Sequence, residues 1–167
     1  MTDAARATAV AAGRARLVEE LGARILATVA AVPEEALHRE AEDGWSAAHV
    51  LAHVAEFVRY WASQAETVAA RERQDLPFGR THDDPERIAA IEERWREGGE
   101  RLASGLRSAL EQCVATLRGI PEERWRRAGV HRRGRMTVAE LVDRFLVEHL
   151  AEHETQLGRA LDGADRE

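Results

Sequence analysis

The stretch Val138–Leu157, VAELVDRFLVEHLAEHETQL, decides the fold. Val138, Leu141, Val142, Phe145, Leu146, Leu150 and Leu157 recur at intervals of three and four, the spacing of a helix with one buried stripe. Thr137 and Glu140 form a capping box ahead of it, and Met136 is placed to staple onto Leu141. The pattern predicts a helix over about 137–162. Two residues interrupt its logic. At about 100° per residue, His149 and His153 fall within the apolar stripe, where leucines would pack better.

Working back along the chain, three more segments carry the same period. The first spans about 4–32, with Val10, Leu17, Leu21, Ile25 and Val32 along one face. The second spans about 46–73, with Val50, Val54, Phe57, Trp61 and Val68, capped by Ser46 and stapled by Trp45 onto Val50. The third spans about 85–118, with Ile88, Ile91, Trp95, Leu102, Leu106, Cys113 and Leu117, and begins at Asp84-Pro85-Glu86. Gly98-Gly99 inside it marks a kink or a close backbone approach. No segment reads as a strand. Four long amphipathic helices predict an all-α four-helix bundle, a single domain over 1–167, with long connections after helices one and three.

The halves resemble each other: VPEEALHRE…GWSAAHVLAHV is echoed by IPEERWRRA…RMTVAELVDRF. That echo predicts a pseudo-twofold bundle of two helical hairpins. Between Arg118 and Arg135 lie seven arginines, but Trp125 is the one aromatic among them. The run reads as a solvated connection paired with acidic neighbours, not as a nucleic-acid surface.

Composition narrows the classes. The 167 residues are 44% hydrophobic and 32% charged, an ordinary globular balance. A formal charge of −6 opposes binding to nucleic acid or an anionic membrane. No apolar run reaches the roughly 20 residues of a membrane span, and the N-terminus lacks a signal pattern. One cysteine, Cys113, on the apolar face of the third segment, excludes an intrachain disulfide and suits a reducing cytoplasm. All 24 basic residues are arginine, so lysine Schiff-base chemistry is absent.

The chemistry-bearing residues are histidines. An i, i+4 pair puts two imidazoles on one side of a helix, near enough to share a metal. A third ligand must come from elsewhere, and WSAAHVLAHV offers two. His53 lies at the margin of the core stripe, one turn from Val50 and Phe57; His49 turns toward solvent beside Glu56. His53, His149 and His153 are therefore the candidate metal ligands, against the alternative that they are core histidines with polar partners. Three histidines leaving one open position describe a catalytic rather than a closed structural site. Glu152 is a candidate hydrogen-bond partner of a ligating ring, and His82 is placed to reach a pocket mouth. Nothing distinguishes His38 and His131 from solvent-facing residues, and Trp61 and Trp95 read as core. The HExxH motif of zincins is absent.

GWSAAHVLAHVAE followed by HLAEHETQL resembles the DinB-like metal-binding four-helix-bundle superfamily, over nearly the whole chain. That group includes the metal-binding domain of mycothiol-dependent maleylpyruvate isomerases and related thiol S-transferases. The resemblance implies a divalent metal, zinc or nickel, on His53, His149 and His153. It also implies a low-molecular-weight thiol cosubstrate, a small-molecule electrophile and a homodimer. The isomerases have glutamate where this chain has His149, and they carry a further C-terminal domain. The family often continues the pair with histidine and glycine, where this chain has Glu154 and Thr155; Gln156 matches. The implied function is a cytoplasmic metal-dependent thiol S-transferase. The alternatives are a metal-dependent hydrolase and a non-catalytic stress or metal-binding protein.

Overall fold

The computed structural model of the chain describes the backbone of residues 3–41 and 44–162 and the side chains of 12–41 and 44–161. In order, the elements are α1 (Asp3–Ala30), α2 (Glu34–Leu37), α3 (Ala47–Ala70), α4 (Pro85–Arg94) and α5 (Gly99–Gly119). A 3-10 turn (Glu122–Arg126) leads to β1 (Ala128–His131) and β2 (Gly134–Thr137). The last helix follows as α6 (Val138–Val142), a π-helical turn (Asp143–Val147) and α7 (Glu148–Asp162). Four long helices form the bundle: α1, α3, α5 and the α6–α7 unit. No described helix is long and apolar enough to cross a membrane.

The helix starts follow the sequence signals. Ser46 accepts from the His49 backbone N–H, Thr137 from that of Glu140, and Asp84 from that of Arg87. Each satisfies a donor that the first turn of a helix leaves open. The echo between the halves is real locally. Pro33 and Pro121 stand at equivalent cap positions, and Ser46 and Thr137 each head a capping box.

The echo does not extend to two hairpins. α1 packs mainly on α5 and α7, and α3 packs on α5 and the α6–α7 unit. Helices α1 and α3 therefore lie across a diagonal, as do α5 and the last helix. The long connections at 31–46 and 120–137 carry the chain across, which short hairpin loops would not allow.

The core is Leu51, Val54, Val58, Leu106, Leu117, Leu141 and Leu146 with their neighbours, all nearly inaccessible to water. Truncating such a leucine to alanine costs about 2–5 kcal/mol. α3 is the central helix, with Ala48, Ala52, Ala55, Ala62 and Ala65 buried along it. These small side chains let its neighbours approach closely. On α1 the buried face is Ala15, Val18, Leu21, Ile25 and Val29, whereas Leu17 is exposed and Val10 lies outside the described side chains. The stripe is thus one residue out of phase with the expected one at Leu17.

The third segment is two helices, not one, and Ile88 is exposed rather than in the stripe. The chain breaks between Arg94 and Gly99, and the Gly99 N–H donates to the Glu34 carboxylate at 2.9 and 3.0 Å. A carboxylate suits that helix N-terminus electrostatically. A Cβ on Gly99 would meet Leu37 Cδ1 at 2.5 Å and Glu34 Oε2 at 2.8 Å, so a larger residue there would make these side chains of α2 shift.

The arginine-rich connection holds the one pair of strands among the described residues, a small addition to the all-α bundle where no segment reads as a strand. β1 and β2 pair antiparallel from Ala128↔Thr137 to His131↔Gly134. On its other side β1 meets residues 76–78, through Phe78 N–H to the Val130 carbonyl at 3.1 Å and Val130 N–H to the Leu76 carbonyl at 3.0 Å. Strands of four residues carry too little alternation to be read from a sequence. Nor are the arginines simply solvated beside acids. Arg124 donates to the Ala69 and Ala70 carbonyls and Arg127 to that of Arg71, closing the C-terminal end of α3. Arg118 and Arg135 do pair with acids, Glu19 and Asp75.

Cys113 is buried on α5, and burial pushes its thiol up to about 12. The native protein is expected to be silent to Ellman's reagent at pH 8 and to release one equivalent in denaturant. Fast reaction of the native thiol would contradict this packing role.

Candidate metal centre

Two helices bring the three histidines together. α3 carries His53 two turns into the helix, and α7 carries His149 and His153 one turn apart. The π-helical turn at Asp143–Val147 lies immediately before them and resets the angular phase between α6 and α7. Arg14 on α1 holds this turn through its Nε to Asp143 Oδ1 at 2.7 Å, with a second bond from its Nη2 to Oδ2.

The imidazole Nε2 atoms converge. His149 Nε2 lies 3.2 Å from His53 Nε2 and 2.7 Å from His153 Nε2. The three residues form the one cluster of metal-capable side chains among the described residues, with their ligand atoms all within 4.8 Å of one another. His53 and His153 are buried and His149 is partly so. Phe57 stacks on His149 at 3.7 Å between ring centres and meets His53 edge-on at 5.3 Å.

The outer nitrogens are also held. His153 Nδ1 lies 2.7 Å from Gln156 Oε1, so Nδ1–H donates and Nε2 keeps its lone pair. His149 Nδ1 lies 3.5 Å from a Glu152 carboxylate oxygen, which favours the same tautomer. Two bare Nε2 atoms facing each other at 2.7 Å repel unless a cation lies between them. Protons are poorly suited to that task. Burial, then the neighbouring His153 and Arg87, take His53 down to about 2; burial and His153 take His149 down to about 3. His153 is lowered too, chiefly by burial, with Gln156 and Glu152 working against the shift.

One contact runs the other way. Arg87 Nη2 approaches His53 Nδ1 at 3.4 Å, which in a neutral ring puts the proton on Nε2. Ligation through Nε2 requires that contact to yield. It is long, and it comes from a flexible side chain.

Over the triad opens a cavity of about 330 Å³. Phe57, Trp61 and Phe145 form its apolar wall, with Trp61 and Phe145 stacked at 3.9 Å. Its rim carries Arg80, Arg87, Arg132, Arg133 and Arg144. Arg80 is neutralised by Glu56 and Arg144 by Glu148. His82 reaches the mouth, as its position before α4 suggests.

His131 is the site residue that sequence reading missed. It is buried at the end of β1, edge-on to Trp61 and Phe145, and lines the cavity. Its local sequence, VHRRG, carries no signal for this; only the hairpin turns it inward. Gly79, at φ +88°, makes room, since a Cβ there would sit 2.7 Å from His131 Cδ2. Trp61 likewise serves both core and cavity wall. His49 is no part of the cluster: it stacks on Trp95 at 3.9 Å and closes the Ser46 capping box. Glu56 turns to Arg80 and not to His49. His38 stays with Glu34, outside the cavity.

Fold and site together define a diagonally connected four-helix bundle with a three-histidine cluster under a basic cavity. The model of the DinB superfamily matches residues 17–157, and the chain belongs to that superfamily. Among solved structures, mycothiol-dependent maleylpyruvate isomerase superposes with a TM-score of 0.72 at 16% identity over 87% of this chain. The chain spans 60% of that isomerase's length. YfiT from Bacillus subtilis, described as a probable metal-dependent hydrolase with an unusual four-helix bundle topology, superposes with a TM-score of 0.71 at 18% identity. That match covers 90% of this chain and 86% of YfiT. No curated protein matches the chain by sequence.

Proposed function

We propose that the protein holds one divalent metal, zinc or nickel, on His53, His149 and His153 and transfers a low-molecular-weight thiol to a small electrophile. The observation that carries the metal reading is the convergence of three imidazoles from two helices, with His149 Nε2 at 2.7 Å from His153 Nε2 and 3.2 Å from His53 Nε2. A bound divalent ion supplies Lewis acidity that lowers the pKa of a thiol or water. Gln156 fixes the tautomer of His153, Phe57 fixes the plane of His149, and the aromatic wall gives a substrate an apolar surface beside the triad.

Transfer is favoured over hydrolysis by what flanks the triad. Hydrolysis assisted by a carboxylate general base finds no suitable group, because the two carboxylates lining the cavity do not fit that role. Glu148 is paired with Arg144, and the Glu152 side chain is 73% exposed. A thiol acidified at the site gives its proton to solvent, and its sulfur bonds to the electrophilic carbon as a leaving group departs with its electron pair. Mycothiol dependence in one structural relative supports the same reading, and the YfiT description keeps hydrolysis as the second.

The zinc- and nickel-loaded protein should conjugate N-acetylcysteine to 1-chloro-2,4-dinitrobenzene faster than the metal-free protein does. Turnover of p-nitrophenyl acetate without thiol, and no conjugation, would replace the transferase with the hydrolase. Activity in neither assay would leave a metal-binding protein without catalysis. Gln156→Leu is expected to weaken metal binding by about 10–100-fold, read by competition with a chromogenic chelator, without altering stoichiometry at saturation.

A further inference from the structure

The rim of the cavity is far more basic than a metal site requires, with five arginines against two glutamates in the lining. Arg80 and Arg144 have carboxylate partners. Arg87 spends Nη1 on the His82 carbonyl at 2.7 Å and leaves Nη2 at the triad. Arg132 and Arg133, on the turn between β1 and β2, form no side-chain hydrogen bond or ion pair among the described residues. Against these three cations the cavity lining sets one carboxylate without an arginine partner, Glu152, while beyond the lining Asp83 acts on Arg132 and Asp84 and Glu56 act on Arg87. In a chain of net charge −6 this is a concentrated exception.

The hairpin also presents a neutral donor. The Arg133 backbone N–H donates to His131 Nδ1 at 3.3 Å, so the proton of the ring sits on Nε2. No described residue accepts it. Guanidinium forks match the two oxygens of a carboxylate or phosphate, and a cleft of one sign raises the local concentration of the opposite one. The stacked Trp61 and Phe145 with Phe57 offer a flat apolar wall beneath. A cavity of about 330 Å³ suits a ligand at the small end of the usual range.

We infer that the substrate taken by this cavity is a small planar organic anion, its oxyanion held by Arg132 and Arg133 with Arg87 and its body against Phe57, Trp61 and Phe145. The inference rests on the cavity over the triad being the reaction site, and it names the class of molecule that enters. The β1–β2 turn is then the specificity element.

Calorimetry on the full chain, zinc-loaded and metal-free, tests it with isophthalate, phenyl phosphate and the uncharged diamide of isophthalate. At least one anion should bind tenfold or more tightly than the diamide, and the two anions tell a carboxylate site from a phosphate site. The double variant Arg132→Ala/Arg133→Ala should lose tenfold or more for the anion at unchanged zinc stoichiometry. Should that variant misfold, wild-type affinity for the anion must still fall between 50 and 500 mM NaCl while that for the diamide holds. No anion binding, equal affinity for the diamide, or a folded double variant that binds as wild type does would overturn the inference. A chain that takes up no zinc but still discriminates the anion would overturn the metal reading and leave this one standing.

Discussion

His149→Ala is expected to abolish the stoichiometric zinc or nickel binding proposed for the triad and, with it, the metal-dependent rise in Tm. His149 is the residue to change because its Nε2 is the shared centre of the cluster, 3.2 Å from His53 and 2.7 Å from His153. Removing it leaves two imidazoles on different helices. A ligand at about 1,000 times its Kd stabilises the folded state by about 4 kcal/mol. In a domain of this size each kcal/mol moves Tm by about 2–4 °C, so metal should raise wild-type Tm by about 8–16 °C. In the variant that rise should vanish, while the metal-free Tm moves much less, because the ring is only partly buried. His153→Ala should behave alike. Equal metal content and an equal rise in Tm in both variants would refute the three-histidine site.

Acid should destabilise the metal-free protein well before its carboxylates titrate. His53 and His149 are held neutral by burial first, then by His153 and Arg87, at about 2 and about 3 against an ordinary value of 6.5. Their folded values are depressed, so the stability they confer as neutral groups is complete above about pH 6.5 and is lost as pH falls. Below that point the unfolded chain takes up protons that the folded chain refuses, and this continues down to about pH 3 for His149 and about pH 2 for His53. At pH 5.5 each ring costs about 1.4 kcal/mol, roughly 3 kcal/mol for the two. That is a large part of a typical domain's 5–15 kcal/mol. Urea midpoints at pH 7.5, 6.5 and 5.5 in the presence of chelator should fall accordingly, and His53→Leu should flatten the slope. A midpoint independent of pH over this range would show that the rings are not buried neutral.

The helices and their starts were open to sequence reading because the signals are local. A 3.6-residue period, Ser46, Thr137 and Asp84 act within a single turn, and the backbone obeys them. The same holds for the inward phase of His149 and His153, which neighbours on their own helix determine. Where two local signals competed, the reading slipped. Leu17 and Val18 are adjacent and both apolar, and only packing against α5 selects Val18. Gly98-Gly99 announced an irregularity, but whether it kinked or broke the helix depended on Glu34 and Leu37 arriving from α2.

Sequence alone determined four helical units, their caps, and an i, i+4 pair of histidines in an apolar stripe. It also singled out His53 over His49 by helical phase. Tertiary structure decided what no local signal carries: that α1 and α3 sit across the diagonal, and that the arginine-rich connection folds into a hairpin. It also decided that His131, Arg132 and Arg133 thereby meet the triad at one cavity. The physical reason is range. Caps and periodicity are set by residues within one or two turns, whereas the cavity is made by strands and helices about a hundred residues apart, whose meeting depends on the burial of the whole core.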